Sequence, residues 1–163
     1  MEGRLYDLVI FMAFFGVFFA IIAIVLYILL ALGLYTLAKR RNIANPWLAW
    51  IPFVGQVFLL GKLVGCEVNI GGWKIEKLDM VLLIGSIIVL VLSQVPVLGI
   101  ILSVIFAILY FFTLYKLFSI YKPEQAVLWL VLSIILSFMG PIFIFVMRNE
   151  DPKIGASPTA VGT

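Results

Sequence analysis

The side chains able to do chemistry here are few, and their placement says more than their number. The 163 residues include no histidine, which removes the commonest general base, the haem ligand and the imidazole metal ligand. Cys66 is the single cysteine. It excludes an intrachain disulfide, has no His to form a metal site or an activated nucleophile, and reads as a small half-buried residue at a polar boundary. Polar groups within otherwise apolar stretches are mainly Thr36, Gln56, Ser86, Ser93, Gln94, Ser103, Thr113, Ser133 and Ser137. On a helix, Ser86 with Ser93 and Ser133 with Ser137 would share a face. A pore lining is one use of such faces; close helix contact, or a bond to the helix's own carbonyl, is the expected one. A serine–lysine hydrolase needs a desolvated lysine beside its serine, and no lysine is so placed. The sequence predicts no catalytic group, no cofactor and no metal ion.

The elements carrying these residues are apolar to an extent that soluble proteins do not reach. Leu8–Ala38, Asn42–Gly61, Met80–Tyr115 and Gln125–Met147 contain no Asp, Glu, Lys or Arg. Such runs match helices of roughly 20 residues crossing a hydrocarbon core about 30 Å thick. With 65% hydrophobic residues and a mean hydropathy of +1.27, the chain reads as an all-α integral membrane protein. Residues 1–150 form a single membrane domain and 151–163 a disordered Gly/Ala/Ser/Pro/Thr tail. A net charge of +3 is too small and scattered for nucleic acid and suits anionic headgroups of a lipid bilayer. The first run is far longer than the about 7–15 residues of a signal-peptide core and lacks a small-residue cleavage site, so it is expected to stay as a helix. Gly16 and Gly33 are its candidate points of adjustment.

Charge placement then selects a topology. Five apolar segments, at about 8–38, 47–62, 80–95, 98–118 and 126–147, can all be threaded as spans with the N-terminus outside. Lys39, Arg40, Arg41, Arg148 and Lys153 then fall inside and Arg4, Lys62, Lys74, Lys77, Lys116 and Lys122 outside, with no positive-inside bias. The second and fifth segments carry Pro52-Phe53-Val54-Gly55-Gln56 and Gly140-Pro141, where a helix can break and reverse. If both are re-entrant hairpins on the cytoplasmic side, every Lys and Arg except Arg4 shares one face. The sequence therefore predicts three transmembrane helices plus two cytoplasmic-side re-entrant helical hairpins, with positive φ at Gly55 and Gly140; five transmembrane helices are the alternative. The candidate helix-break or pore residues are Pro52, Gly55, Gln56, Gly140 and Pro141. Lys39, Arg40, Arg41, Trp73, Lys74 and Lys77 are topology and headgroup anchors, with Gly71-Gly72 a turn.

A faint internal repeat pairs residues 25–62 with 105–148: Tyr35 with Tyr115, Trp50 with Trp129, Gly55 with Gly140, Phe58 with Phe143. Trp47-Leu48-Ala49-Trp50-Ile51-Pro52 followed by Lys62 resembles a Trp-x-Ala-x-Ile-Pro segment of uncharacterised small multi-pass membrane proteins of bacteria, some labelled signal-peptidase-like. Gly55 stands where that pattern commonly has Asn. The resemblance covers only about 20 residues and implies a membrane architecture in a bacterial cytoplasmic membrane without implying an activity. The expected function is that of a non-enzymatic accessory, scaffold or oligomeric interaction subunit, its partner itself or another membrane protein. A channel or facilitator for a small neutral solute built on the broken helices, and a curvature-generating wedge, are the alternatives.

Overall fold

In a computed structural model, residues 2–65, 68–70 and 73–153 are described. Helix α1 runs Glu2–Arg40, about 58 Å long at 1.5 Å per residue. No proline interrupts it, and Gly16 and Gly33 leave it helical. Asn42, at φ 52°, closes it: Ile43 N–H reaches the Ala38 carbonyl at 2.9 Å and Asn42 N–H the Lys39 carbonyl at 3.2 Å. This is a Schellman ending with asparagine in the left-handed position that glycine more often fills.

Pro46 opens a short 3-10 helix, Pro46–Trp50, its fixed φ suiting the first helical position. The chain then turns at Phe53 and continues as α2, Val54–Val64. Strands β1, Val68–Ile70, and β2, Trp73–Ile75, pair antiparallel with Asn69 opposite Lys74, a short hairpin within a chain that is otherwise helical, as expected. Their connection at Gly71-Gly72, like Cys66, lies outside the described residues. Next come α3, Leu78–Leu92, and α4, Pro96–Tyr121, again begun by proline. Helices α5, Ala126–Ile135, and α6, Met139–Val146, end in one 3-10 turn, Met147–Asn149.

The path is read from cross-chain bonds. Tyr27 Oη donates to the Trp50 carbonyl, and the Arg41 guanidinium donates to that of Leu63. Tyr27 lies thirteen residues, about 20 Å, from the Arg40 end of α1. The segment from Ile43 to Leu63 thus descends along α1 and returns to the end where it began. The α5–α6 segment does the same. Near its tip, Pro141 shares a groove with Ile22, about 27 Å from Arg40. It returns through Lys122–Glu150 at 2.8 Å, Arg40–Asp151 at 2.7 Å and Lys153 N–H to the Ile120 carbonyl at 2.8 Å. The packed chain therefore reaches Lys153, and residues 154–163 of the expected tail lie outside the described residues.

Among the described residues, two helices are long and apolar enough to cross a membrane, Tyr6–Arg40 and Val97–Tyr121. The third expected span, α3, has 15 residues, about 22 Å. Two corrections concern the second break. It falls at residues 136–138, not at Gly140-Pro141, which occupy the first turn of α6. There the missing proline N–H has no helical partner to lose. Ser137 lies in this break, so it does not share a helix face with Ser133. The core gathers at the basic end around Leu34, Leu37, Leu63, Leu114, Phe118 and Ile144, with a second cluster of Val57, Leu78, Leu82 and Phe106.

Candidate functional site

The first break builds a cavity that contains a buried, unpartnered polar atom, at Gln56. Phe53 sits at φ 64°, ψ −71°, and Val54 N–H bonds the Pro52 carbonyl at 2.8 Å across it. This is a γ-turn, a conformation that costs a side-chain-bearing residue about 1–3 kcal/mol. Gly55 follows in the first turn of α2. A Cβ there would stand 2.2 Å from the Leu48 carbonyl oxygen and 2.8 Å from Ile51 Cβ. Glycine is thus required by the close approach of α2 to the 3-10 helix, and not by a positive φ, which neither Gly55 nor Gly140 adopts.

This tight reversal turns Gln56 inward, where it is 7% exposed. It lines a cavity of about 470 Å³ between α1, α2, α3 and α4 whose other walls include Leu30, Val57, Val89, Phe106 and Tyr110. The Phe53 ring packs on Phe106 at 5.7 Å between centroids. Gln56 Nε2 has no hydrogen-bond partner, an omission worth about 1–3 kcal/mol for a buried amide. Tyr121 Oη at the end of α4 is likewise without a partner, but three other buried hydroxyls are engaged. Ser86 donates to Leu83 at 2.7 Å, Thr113 to Leu109 at 2.8 Å and Ser133 to Trp129 at 2.7 Å, each a carbonyl of its own helix. Ser93 likewise donates to Leu90 at 2.9 Å, so these four hydroxyls are engaged locally, as expected for packing. Ser103 is exposed and joins the cavity to a second concavity beside Ser93 and Gly99.

The expected break residues are not brought together. Gln56 lines the cavity, Gly55 packs against the 3-10 helix beside it, and Pro52 is exposed at its turn. A Cβ added at Gly140 would meet Ser133 Oγ at an ordinary 3.7 Å, and Pro141 lines a separate groove with Phe19, Ala23 and Leu26. Sequence reasoning missed Phe53, because a bulky residue carries no signal for positive φ. Phe106 was equally hidden within a uniform apolar run.

At the basic end, Lys39 and Arg40 occupy the last turn of α1, where cations meet the negative end of the helix dipole. Arg41 is spent on the Leu63 carbonyl. Trp73 and Lys74 lie in β2, and exposed Lys77 precedes α3. The Lys122 ammonium, by hydrogen bond and then by charge, holds the Glu150 carboxyl below its ordinary range. Among the described residues no group of His, Cys, Asp or Glu could hold a metal ion. No protein-family model, curated protein or solved structure matches this chain.

Proposed function

We propose that this chain is a non-enzymatic multi-pass protein of a bacterial cytoplasmic membrane that acts by associating with copies of itself through the N-terminal half of α1. In this reading α1, α3 and α4 span the bilayer with the N-terminus outside. The two descending-and-returning segments are hairpins entering from the cytoplasmic side, in contact with anionic headgroups. Positive-inside placement of ten of the 11 basic residues supports it, as does the return of both segments to the basic end of α1.

The observation that carries self-association is that the most apolar window of Tyr6–Arg40 is 0% buried. α1 exceeds α4 by thirteen residues, about 20 Å, which is more apolar helix than a core of about 30 Å can cover without steep tilt. Phe11, Phe14, Phe15, Phe18 and Phe19 stand exposed there. Ala13, Gly16, Ala20 and Ala23 recur at three- and four-residue steps, on the helical row that continues through Leu30, Leu34 and Leu37 into the bundle core. Small residues at that spacing let two membrane helices approach closely. A Cβ at Gly16 meets nothing within 4 Å, so Gly16→Leu leaves the protomer undisturbed. We expect the wild type to be dimeric or larger by native mass spectrometry in nanodiscs, and Gly16→Leu to be monomeric with the same helix content by circular dichroism. A monomeric wild type overturns self-association.

Topology is tested separately. Single cysteines at Asn69 and Gln125 in a Cys66→Ser background should resist an impermeant thiol reagent on intact cells and react after permeabilisation, whereas one at Gly3 reacts from outside. Outside labelling at Asn69 and Gln125 restores five spans.

A further inference from the structure

We propose that the cavity beside the first break is a binding site for a neutral, lipid-soluble molecule carrying a carbonyl group, which accepts a hydrogen bond from the Gln56 amide. The charge of the ligand follows from the walls. Among the described residues no Asp, Glu, Lys or Arg lines the cavity, so an ion entering it would lose hydration with no counter-charge to replace it. Its polarity follows from Gln56. This side chain is 7% exposed and its Nε2 is enclosed and unpartnered, while the Ser86 and Thr113 hydroxyls of the neighbouring helices are already satisfied by their own backbones. An amide rotates about its last bond to present N–H or C=O, and the uncommitted N–H calls for an acceptor. The volume, about 470 Å³, falls in the range that holds a drug-sized molecule.

Entry and retention also have visible parts. The cavity continues past exposed Ser103 and Ala107 into the concavity beside Gly99, which opens sideways along α4, toward lipid if α4 spans the bilayer. At its other end the strained backbone at Phe53 holds an aromatic ring against Phe106. Strain of this sort persists where surrounding structure fixes a side chain for a purpose, ligand clamps included. Gln56 is the third residue of α2, seven residues from Leu63. That places the amide about 10 Å from the basic end, with the apolar volume extending deeper.

The test uses the full chain in nanodiscs and benzophenone, a two-ring ketone that on irradiation inserts into adjacent C–H bonds. Adducts are expected on Leu60, Phe106 or Ala107, mapped by peptide mass spectrometry. Gln56→Met keeps length and volume but has no N–H. It should weaken saturable labelling about fivefold to tenfold, the loss of one hydrogen bond to an uncharged acceptor, with Tm unchanged or raised. Diphenylmethane, which has a methylene in place of the carbonyl, should compete about as much more weakly against the wild type, a comparison that depends on no variant. Equal competition by diphenylmethane, or unaltered labelling of Gln56→Met, would overturn the proposal and leave the cavity to lipid acyl chains. Labelling confined to residues outside the cavity would overturn it too. None of these outcomes depends on the oligomeric state.

Discussion

The two broken segments look alike in sequence and are held together by opposite means. The first, Pro46–Val64, is pinned by backbone: a γ-turn at Phe53, a glycine with no room for a Cβ, and a carbonyl at Trp50 bonded by Tyr27. The second, Ala126–Val146, is pinned by rings. Trp129 stacks on Phe143 at 4.6 Å and 9°, and Phe118 of α4 meets both edge-on. Positions paired by the internal repeat accordingly have different surroundings. Trp129 is 8% exposed and Trp50 is 44% exposed; Gly55 is crowded and Gly140 is not. Each reversal leaves a concavity: the cavity with Gln56 lies behind the first, and a groove lined by Ser137, Phe138 and Pro141 lies at the second.

The largest expected contrast is between the paired tryptophans. Trp129→Ala removes a buried ring and both aromatic contacts and should cost about 3–5 kcal/mol. Trp50→Ala keeps the carbonyl that Tyr27 bonds and should cost about 1 kcal/mol or less. Thermal unfolding in detergent reads both, and equal losses would abolish the distinction between ring-pinned and backbone-pinned reversals.

The glycines give a smaller and signed contrast. Gly55→Ala drives a methyl into the Leu48 carbonyl and should cost about 1–3 kcal/mol. Gly140→Ala meets only Ser133 at 3.7 Å and should be neutral or stabilising by up to about 1 kcal/mol, since the position is helical. A tolerated Gly55→Ala would mean that α2 does not approach the 3-10 helix so closely. Gly61→Ala offers a control within α2, because its Cβ would fall 2.6 Å from the Asp79 Cα.

Much of this architecture was legible because charge and proline are discrete signals. Lys39, Arg40 and Arg41 marked the end of α1, Pro46 and Pro96 sit where helices begin, and Pro52 lies next to a real reversal. Gly140-Pro141 misled by three residues, because proline fits the first turn of a helix as well as the break before it. The conformation of Phe53 and the packing of Phe118, Trp129 and Phe143 depend on long-range contacts, and in runs composed almost wholly of Leu, Ile, Val and Phe no local pattern distinguishes a core ring from a lipid-facing one. Gln56 was visible as a rare polar residue; that it lacks a partner while Ser86, Thr113 and Ser133 have one is visible only in three dimensions.

The smallest effect distinguishes the two exits. The first segment returns under a tie that contains no carboxylate, the Arg41 guanidinium donating to the Leu63 carbonyl. The second returns under carboxylates, Glu150 on Lys122 and Asp151 on Arg40. Glu150 is held below its ordinary value near 4.5 by the Lys122 hydrogen bond and charge. A carboxyl whose folded-state value is depressed adds stability that is complete above the unfolded-state value and disappears as pH falls through the folded-state value. We therefore expect Glu150→Gln to lower Tm slightly near neutral pH, and the difference from wild type to vanish once pH drops below the depressed value. Exposed pairs contribute little and are screened, so the difference should also shrink in high salt. A Tm difference that ignores pH would show that Glu150 acts through packing and that the ion pair does not fasten the second exit.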